Sequence, residues 1–301
     1  MDVATNNTSL SLRCPAKLNL TLAVGAPRDD GLHPIASVMV ALDFGDDLHL
    51  HRRDHGPSAF TRRLADDAMK PQPIDWPIES DLLYRAHALL QSATGKALLP
   101  IACELEKRIP AGAGLGGGSS NAAAMLVGLR QLFELPVNDQ TLLELAQQLG
   151  ADVVFLTKAM LGQPAALVTG IGEVIEPLDN LTSFDCILVV PEGQCPTPDV
   201  YRAFDQQNPT ASIPDELIEQ WRKGKALPAA LNDLHQPAIS ICPSIEPAAE
   251  AIKAQRLEPR LTGSGSALFA IVGSKQQAIG IAESIRKSGI AACCTSYPGL
   301  P

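Results

Sequence analysis

The chain has 301 residues, of which 46% are hydrophobic, 19% charged and only 4% aromatic, with a net charge of -9. So much apolar residue excludes a disordered chain, and the length points to two domains rather than one core. The acidic balance excludes a general nucleic-acid binder, whose footprint is basic. Residues 1–7, Met-Asp-Val-Ala-Thr-Asn-Asn, have neither the basic start nor the apolar core of a secretion signal. No apolar run reaches the roughly 18 residues of a membrane span, so a cytoplasmic location is expected. Seven scattered cysteines without a Cys-x-x-Cys pair suggest neither a disulfide framework nor a zinc site.

In chain order, alternation predicts strands over 18–24 and 38–50, the second ending in His49 and His51. With His55, these histidines read as a polar strand end and loop rather than a metal cluster, since no second group of ligands follows. Residues 52–77, with four prolines and mixed charge, read as an exposed connection. Helical spacing appears over 81–90, 119–133 and 140–149, and 101–109 alternates apolar and charged residues like a half-exposed antiparallel strand. After Gly162 come strands near 165–169, 186–190 and 267–272 and helices near 246–254 and 275–288. Strands and helices interleave irregularly, which predicts an α+β fold with one domain over 1–165 and a second over 166–301.

Between the predicted strand at 101–109 and the helix at 119–133 lies Pro110-Ala-Gly-Ala-Gly-Leu-Gly-Gly-Gly-Ser-Ser120, with five glycines in seven positions. Gly112, Gly114, Gly116, Gly117 and Gly118 lack Cβ atoms, so the backbone can bring its N–H groups close to an anion. The free N–H groups of the helix that follows carry roughly half a positive charge. Ser119 and Ser120 add hydroxyls suited to a phosphate oxygen or a metal ion.

Besides a turn without a ligand, three readings compete for this loop. Gly112, Gly114 and Gly117 satisfy G-x-G-x-x-G, but a dinucleotide fold needs an apolar parallel strand before it and an acidic residue about 20 positions later. Here the preceding strand alternates and the region of residue 137 is a turn. The G-x-x-x-x-G-K-[ST] loop is excluded because no lysine follows the glycines. A turn without a ligand leaves the entropy cost of so many glycines, about 0.5–1 kcal/mol each relative to alanine, without an offset.

The third reading is a family resemblance. Pro-x-Gly-x-Gly-Leu-Gly followed by Ser-Ser resembles the phosphate loop of the galactokinase, homoserine kinase, mevalonate kinase and phosphomevalonate kinase (GHMP) superfamily. The longer Gly-Leu-Gly-Gly-Gly-Ser-Ser-Asn-Ala-Ala is similar to the 4-diphosphocytidyl-2-C-methyl-D-erythritol kinase family. Further similarities follow in a fixed order: Pro15-Ala-Lys-Leu-Asn-Leu20, Arg28-Asp-Asp-Gly-Leu-His33, Leu149-Gly-Ala-Asp-Val153, Thr169-Gly-Ile-Gly-Glu173, Pro196-Thr-Pro-Asp-Val-Tyr201, Asn232-Asp-Leu234 and Leu261-Thr-Gly-Ser-Gly-Ser-Ala267.

The resemblance implies a two-domain GHMP-type fold with its active site in the cleft between domains, ATP and Mg²⁺ as cofactors, and a small cytidyl diphosphate substrate. It implies a monomer or weak homodimer that takes neither nucleic acid nor membrane as partner. Asp152 falls on the family's catalytic aspartate and Lys17 on the opening-strand lysine beside it. Nucleotide would be held by Lys107 and by Pro110, Ala111, Gly112, Ala113, Gly114, Leu115, Gly116, Gly117, Gly118, Ser119 and Ser120, the two serines also serving the metal. Asn19, two positions from Lys17 and so on the same strand face, would hold the substrate hydroxyl. His33 would read the base edge, Tyr201 would stack on the ring, and Thr197 would contact a hydroxyl or phosphate.

Taken alone, these residues have plainer readings: Asp152 as the cap of the next turn, Lys17 and Lys107 as strand residues in solvent, His33 as a loop histidine, Tyr201 as a core aromatic. Leu32 stands where the family has a second stacking Tyr, Val154 and Leu156 stand for its Pro and Phe, and Asp81 for an Asn on the adenine side. A kinase of another small alcohol, such as homoserine or mevalonate, and a non-catalytic nucleotide-binding regulator stay open as alternatives.

Overall fold

The computed structural model describes residues 8–95, 99–207, 212–223 and 231–299. Residues 1–7, read above for a leader, lie outside them. The chain begins with β1 (Ser9–Asn19), β2 (Ala23–Val24), β3 (Ile35–Arg52) and β4 (Ala59–Leu64), then α1 (Leu82–Ala93) and β5 (Ile101–Lys107). Helices α2 (Gly117–Leu132), α3 (Asp139–Leu149) and α4 (Ala151–Met160) follow, then β6 (Ala165–Thr169), β7 (Val174–Pro177) and β8 (Phe184–Val190). The remainder is α5 (Thr197–Asp205), α6 (Asp215–Arg222), α7 (His235–Ile241), α8 (Ile245–Lys253), β9 (Arg260–Leu261), β10 (Leu268–Val272), α9 (Lys275–Lys287) and β11 (Ala291–Tyr297). The fold is mixed α+β, as the interleaved patterns predict.

Two compact units are built from discontinuous segments, the first from residues 1–15, 45–109 and 117–161 and the second from 16–44, 110–116 and 162–301. The long strands β1 and β3 each contribute to both.

In the first unit, β5 pairs antiparallel with the end of β3 (Leu48 opposite Leu105) and parallel with β4 (Phe60 opposite Cys103). Helices α1 to α4 pack on one another, with α2 at the centre: Ser120 to Leu129 is buried without a break. Such all-round burial explains its run of alanines, which let neighbouring helices approach closely. Asn138 caps α3 by accepting from the Thr141 N–H at 2.8 Å. Gly150, at φ 145°, then ends α3 and starts α4 without a loop, so the backbone turns where a Cβ would be strained.

In the second unit, β8 lies between β11 and β10, with β9 on the far side of β10, all antiparallel. Ile187, Val189, Leu268 and Ala270 meet residues of α5, α7, α8 and α9 in one core, with Val200, Phe204, Leu234, Ile245, Ile252 and Ile285 among them. The start of β3 pairs with β6, and β6 with β7.

Three sequence expectations are corrected. Residues 52–77 are not all connection, because 59–64 form β4. Its residues alternate between half-buried and exposed, the pattern of an edge strand, and its flanking prolines mask that periodicity. The first strand covers Ser9–Asn19 rather than 18–24, of which the later part survives as the two-residue β2. Helices α4 to α6 also form where no helix was expected; α5 starts after Pro196, with Pro198 in its first turn, where a missing N–H costs nothing.

Candidate active site

The glycine loop adopts a backbone that its sequence alone allows. Gly112, Gly114 and Gly116 sit at φ 69°, 76° and 70°, a region that residues with a Cβ rarely enter. A Cβ on Gly114 would lie 2.6 Å from the carbonyl oxygen of Thr262 and 2.9 Å from that of Gly265. The loop thus packs backbone to backbone on the second glycine segment, and the Ala267 N–H donates to the Ala113 carbonyl at 3.1 Å. Positive φ at every second loop residue is a backbone pattern that can form an anion-binding concavity. From Gly116 the chain enters α2 directly.

On the same unit, Lys17 and Asn19 lie at the buried end of β1. The Lys17 ammonium donates to Asn19 Oδ1 at 2.5 Å, and the Lys17 N–H donates to the Leu115 carbonyl at 3.0 Å. Asn19 Nδ2 donates to Ser37 Oγ at 2.8 Å, and Asn19 N–H to Thr262 Oγ1 at 2.9 Å. A Cβ on Gly263 would fall 3.3 Å from both Asn19 Oδ1 and the Lys17 amine, so the absence of a side chain there leaves both polar atoms room. The structure therefore brings Lys17, Asn19, the loop at Leu115 and the segment 262–267 together.

Asp152 belongs to the first unit. It is half-buried on the first turn of α4, where the helix N-terminus favours a carboxylate. Val154 and Leu156 follow it into the core of that helix, so these two departures from the family pattern are packing positions.

Lys107 is buried rather than solvated. Its ammonium donates to Asp46 and, at 2.9 Å, to Asn121 Oδ1. Asp46 also accepts from Asn121 Nδ2 at 2.8 Å and from the backbone N–H groups of Arg108 at 2.6 Å and Ile109 at 2.8 Å. This knot ties the end of β5 to the first turns of α2, and a Cβ on Gly117 would press on Ile109 at 2.9 Å. Sequence reading missed Asp46 and Asn121. Asn121 lies in the glycine-loop segment matched above, and Asp46 belongs to an acidic pair, Asp46-Asp47, in a strand that also carries Asp43, His49, His51 and Arg52. Asp81, the other departure, is spent locally: it caps α1 through the Leu83 N–H and accepts from Arg62 and Trp76, each at 3.1 Å.

Ser119 is half-buried in the first turn of α2, and Ser120 is fully buried with no hydrogen-bond partner for its hydroxyl among the described residues. An orphaned hydroxyl just after the glycine loop fits a site that takes phosphate oxygens or a hydrated cation. Among the described residues no group of three or more His, Cys, Asp and Glu is placed to hold a metal ion. Nor is any helix there long and apolar enough to cross a membrane.

A pocket of about 470 Å³ opens on the second unit, lined by Leu32, His33, Ile171, Thr197, Tyr201 and Asp205 among others. His33 sits 4.9 Å from the Tyr201 ring, centre to centre, and 5.8 Å from Phe204. Thr197 Oγ1 lies 3.0 Å from Ser264 Oγ. Leu32 and Ile171 are large apolar side chains left exposed, at 47% and 37%, so the wall where the family places a second aromatic ring is aliphatic here. Sequence reading matched the turn that displays Ile171 but gave that side chain no role. Glu173 holds this turn by accepting from the Ile171 N–H at 2.5 Å.

Residues 81–170 match the model of the GHMP kinases N terminal domain. The fold is also that of a homoserine kinase from Cytophaga hutchinsonii, with a TM-score of 0.65 at 19% identity over 100% of this chain and 98% of that one. A glycine cradle feeding a helix, within the segment so matched, is a feature shared with the GHMP kinases. A crystal structure of 4-(cytidine 5'-diphospho)-2C-methyl-D-erythritol kinase superposes with a TM-score of 0.76 at 32% identity, covering 95% of this chain and 98% of that one. The 4-diphosphocytidyl-2-C-methyl-D-erythritol kinase of Polaromonas naphthalenivorans is 37% identical over 258 residues, 85% of this chain and 83% of its own. That of Caulobacter vibrioides is 36% identical over 287 residues, 92% and 94% of the two chains. The chain belongs to the 4-diphosphocytidyl-2-C-methyl-D-erythritol kinase family.

Proposed function

We propose that this chain carries out the reaction that names its family: transfer of the γ-phosphoryl group of ATP to a hydroxyl of 4-diphosphocytidyl-2-C-methyl-D-erythritol, a step of the non-mevalonate route to isoprenoids. Kinship with kinases of that substrate across both compact units carries the reading. The exposed aromatic and aliphatic pocket at Tyr201, Leu32 and Ile171 agrees with a flat ring as part of the substrate.

Phosphoryl transfer has a loose, in-line transition state with charge spread over the equatorial oxygens, so positioned dipoles do most of the work. The amides of 110–118 and the start of α2 would hold the phosphates, with Ser119 and Ser120 as hydroxyl contacts. Mg²⁺ bound with ATP would supply further positive charge to the phosphates, with Ser119 and Ser120 as the hydroxyls that would hold it. Asp152 would orient the acceptor hydroxyl and take its proton, and Lys17 and Asn19 would be polar contacts of that hydroxyl. Thr197 would hold a hydroxyl or phosphate nearby. Lys107, committed to Asp46 and Asn121, would serve nucleotide binding by fixing the loop's approach to α2. Tyr201 would stack on the cytosine, which is worth about 1–3 kcal/mol. All seven cysteines are free thiols, in keeping with a reducing cytoplasm.

The test is ADP release with MgATP, offering the cytidyl methylerythritol substrate, homoserine and mevalonate separately. Turnover of the first alone is expected. Turnover of another alcohol would reassign the substrate, and binding of ATP with turnover of none would make the protein a regulator.

A further inference from the structure

The glycine loop has a neighbour that none of the matched motifs carries. Gln194 is exposed, yet its side chain lies along Gly112: a Cβ on that glycine would meet Gln194 Cδ at 3.4 Å, Oε1 at 3.5 Å and Cγ at 3.6 Å. Gly112 is itself exposed, at φ 69°, so the amide covers a loop position where the backbone is bare. Laying a long polar side chain along a backbone costs rotamer freedom, and among the described residues no hydrogen bond to the Gln194 amide offsets it.

The loop that carries Gln194 is fixed on either side of it. The Gly193 carbonyl accepts from Ser266 Oγ at 3.5 Å, and Thr197 Oγ1 lies 3.0 Å from Ser264 Oγ. Between them, Cys195 Sγ lies 3.4 Å from where a Cβ on Gly265 would be. Segment 262–265 in turn packs on Gly114. Three loops of the second unit, 110–116, 193–197 and 262–266, thus form one stack that holds the Gln194 side chain against glycine backbone. The amide oxygen is among the three atoms nearest Gly112, which leaves the NH₂ end, with its two donors, as the farther one. A ligand whose surface atoms only accept, seated on the backbone N–H groups of the loop, fits such a donor: a phosphate.

Resting on the reading that 110–116 hold phosphate, we propose that Gln194 is a further phosphate-binding residue of the transfer. Its NH₂ group donates to a phosphate oxygen at the glycine loop, belonging either to ATP or to the diphosphate of the substrate. A hydrogen bond to a charged group changes affinity by about ten-fold or more.

The experiment titrates MgADP, the non-hydrolysable β,γ-imido analogue of MgATP, and CDP against the wild type, Gln194→Ala and Gln194→Glu by calorimetry, with a melting curve for each protein. Glutamate keeps the shape of glutamine and replaces its donors with a negative charge, so the pair of variants separates a bond from a cover. Both should melt as the wild type does. Gln194→Ala should weaken the ligand it meets by about ten-fold, and Gln194→Glu by more. A loss confined to the imido analogue assigns the bond to the γ-phosphoryl group, one shared with MgADP to the inner phosphates of the nucleotide, and one confined to CDP to the substrate's diphosphate. Unchanged affinities in both variants would overturn the assignment, as would a Gln194→Glu variant that binds like the wild type, or equal weakening of all three ligands with a lowered melting temperature. Turnover of the cytidyl substrate is followed in parallel. Affinity that depends on Gln194 in a protein without turnover keeps this contact and removes the reaction; turnover with affinities indifferent to Gln194 keeps the reaction and removes the contact.

Discussion

Asp46 has no exposed surface, yet four donors converge on its carboxylate, and none of them is a neighbour in sequence. Its partners lie 61 to 75 positions away, which is why a pass along the chain finds the glycines and not the residue that anchors their approach. Breaking a buried charge pair on one side leaves the other charge unpaired, at a cost of about 3–5 kcal/mol. Asp46→Ala should lower the unfolding free energy in urea by that order. Asp152 is different, being half-buried on the first turn of α4. Asp152→Asn should cut kcat by about 10²–10⁴-fold and leave the melting temperature within a few degrees; an unchanged kcat would remove Asp152 as the proton acceptor. The loop glycines were legible because a motif carries them, whereas the exposed Ile171 has meaning only once the 169–173 turn is placed.

At the scale of elements, periodicity located α1, α2, α3 and α9 because each has a clear start: Asp81, Asn138 and Ser274 cap three of them, and the glycine loop delivers the fourth. It failed for β4, whose six residues lie among prolines, and for α4, which follows α3 with only Gly150 between them. The phosphate loop is itself an element with one conformation. Gly114→Ala meets both a φ of 76° and a carbonyl oxygen at 2.6 Å from the new Cβ. The KM for ATP should rise by about ten-fold or more, for a strain of roughly 1–3 kcal/mol, with CDP affinity falling less, because Gly114 meets the pocket at Tyr201 only through the 262–265 segment and Thr197. Equal weakening of both ligands would mean that the substitution acts through general unfolding.

For the molecule as a whole, the low aromatic content is made good by Leu, Ile, Val and Ala in a core that the composition did foretell. What composition did not foretell is that β1 and β3 carry the chain between two units assembled from separate segments. Within the second unit, Asp43 in β3 binds the C-terminal strand, accepting from Thr295 Oγ1 at 2.5 Å, Ser296 N–H at 2.8 Å and Ser296 Oγ at 2.6 Å. Burial alone would raise its pKa, but these hydrogen bonds outweigh burial and hold it below the ordinary value of 3.8. A lowered carboxylate stabilises the fold above its unfolded pKa, and that stability is lost as pH falls through the lowered one. The melting-temperature gap between wild type and Asp43→Asn should therefore be full above about pH 5 and shrink below pH 4; a gap constant from pH 3 to 7 would show that Asp43 contributes by shape alone. Asp233, raised by burial against the opposing Val24 N–H bond, works in the other sense, its contribution being lost as pH rises through its raised value.

The most direct test of the account follows the phosphorus itself. In a ³¹P NMR time course with MgATP and 4-diphosphocytidyl-2-C-methyl-D-erythritol, a new phosphomonoester resonance should grow in step with ADP while inorganic phosphate stays flat. Growth of inorganic phosphate in place of the phosphomonoester would contradict phosphoryl transfer to the substrate's hydroxyl.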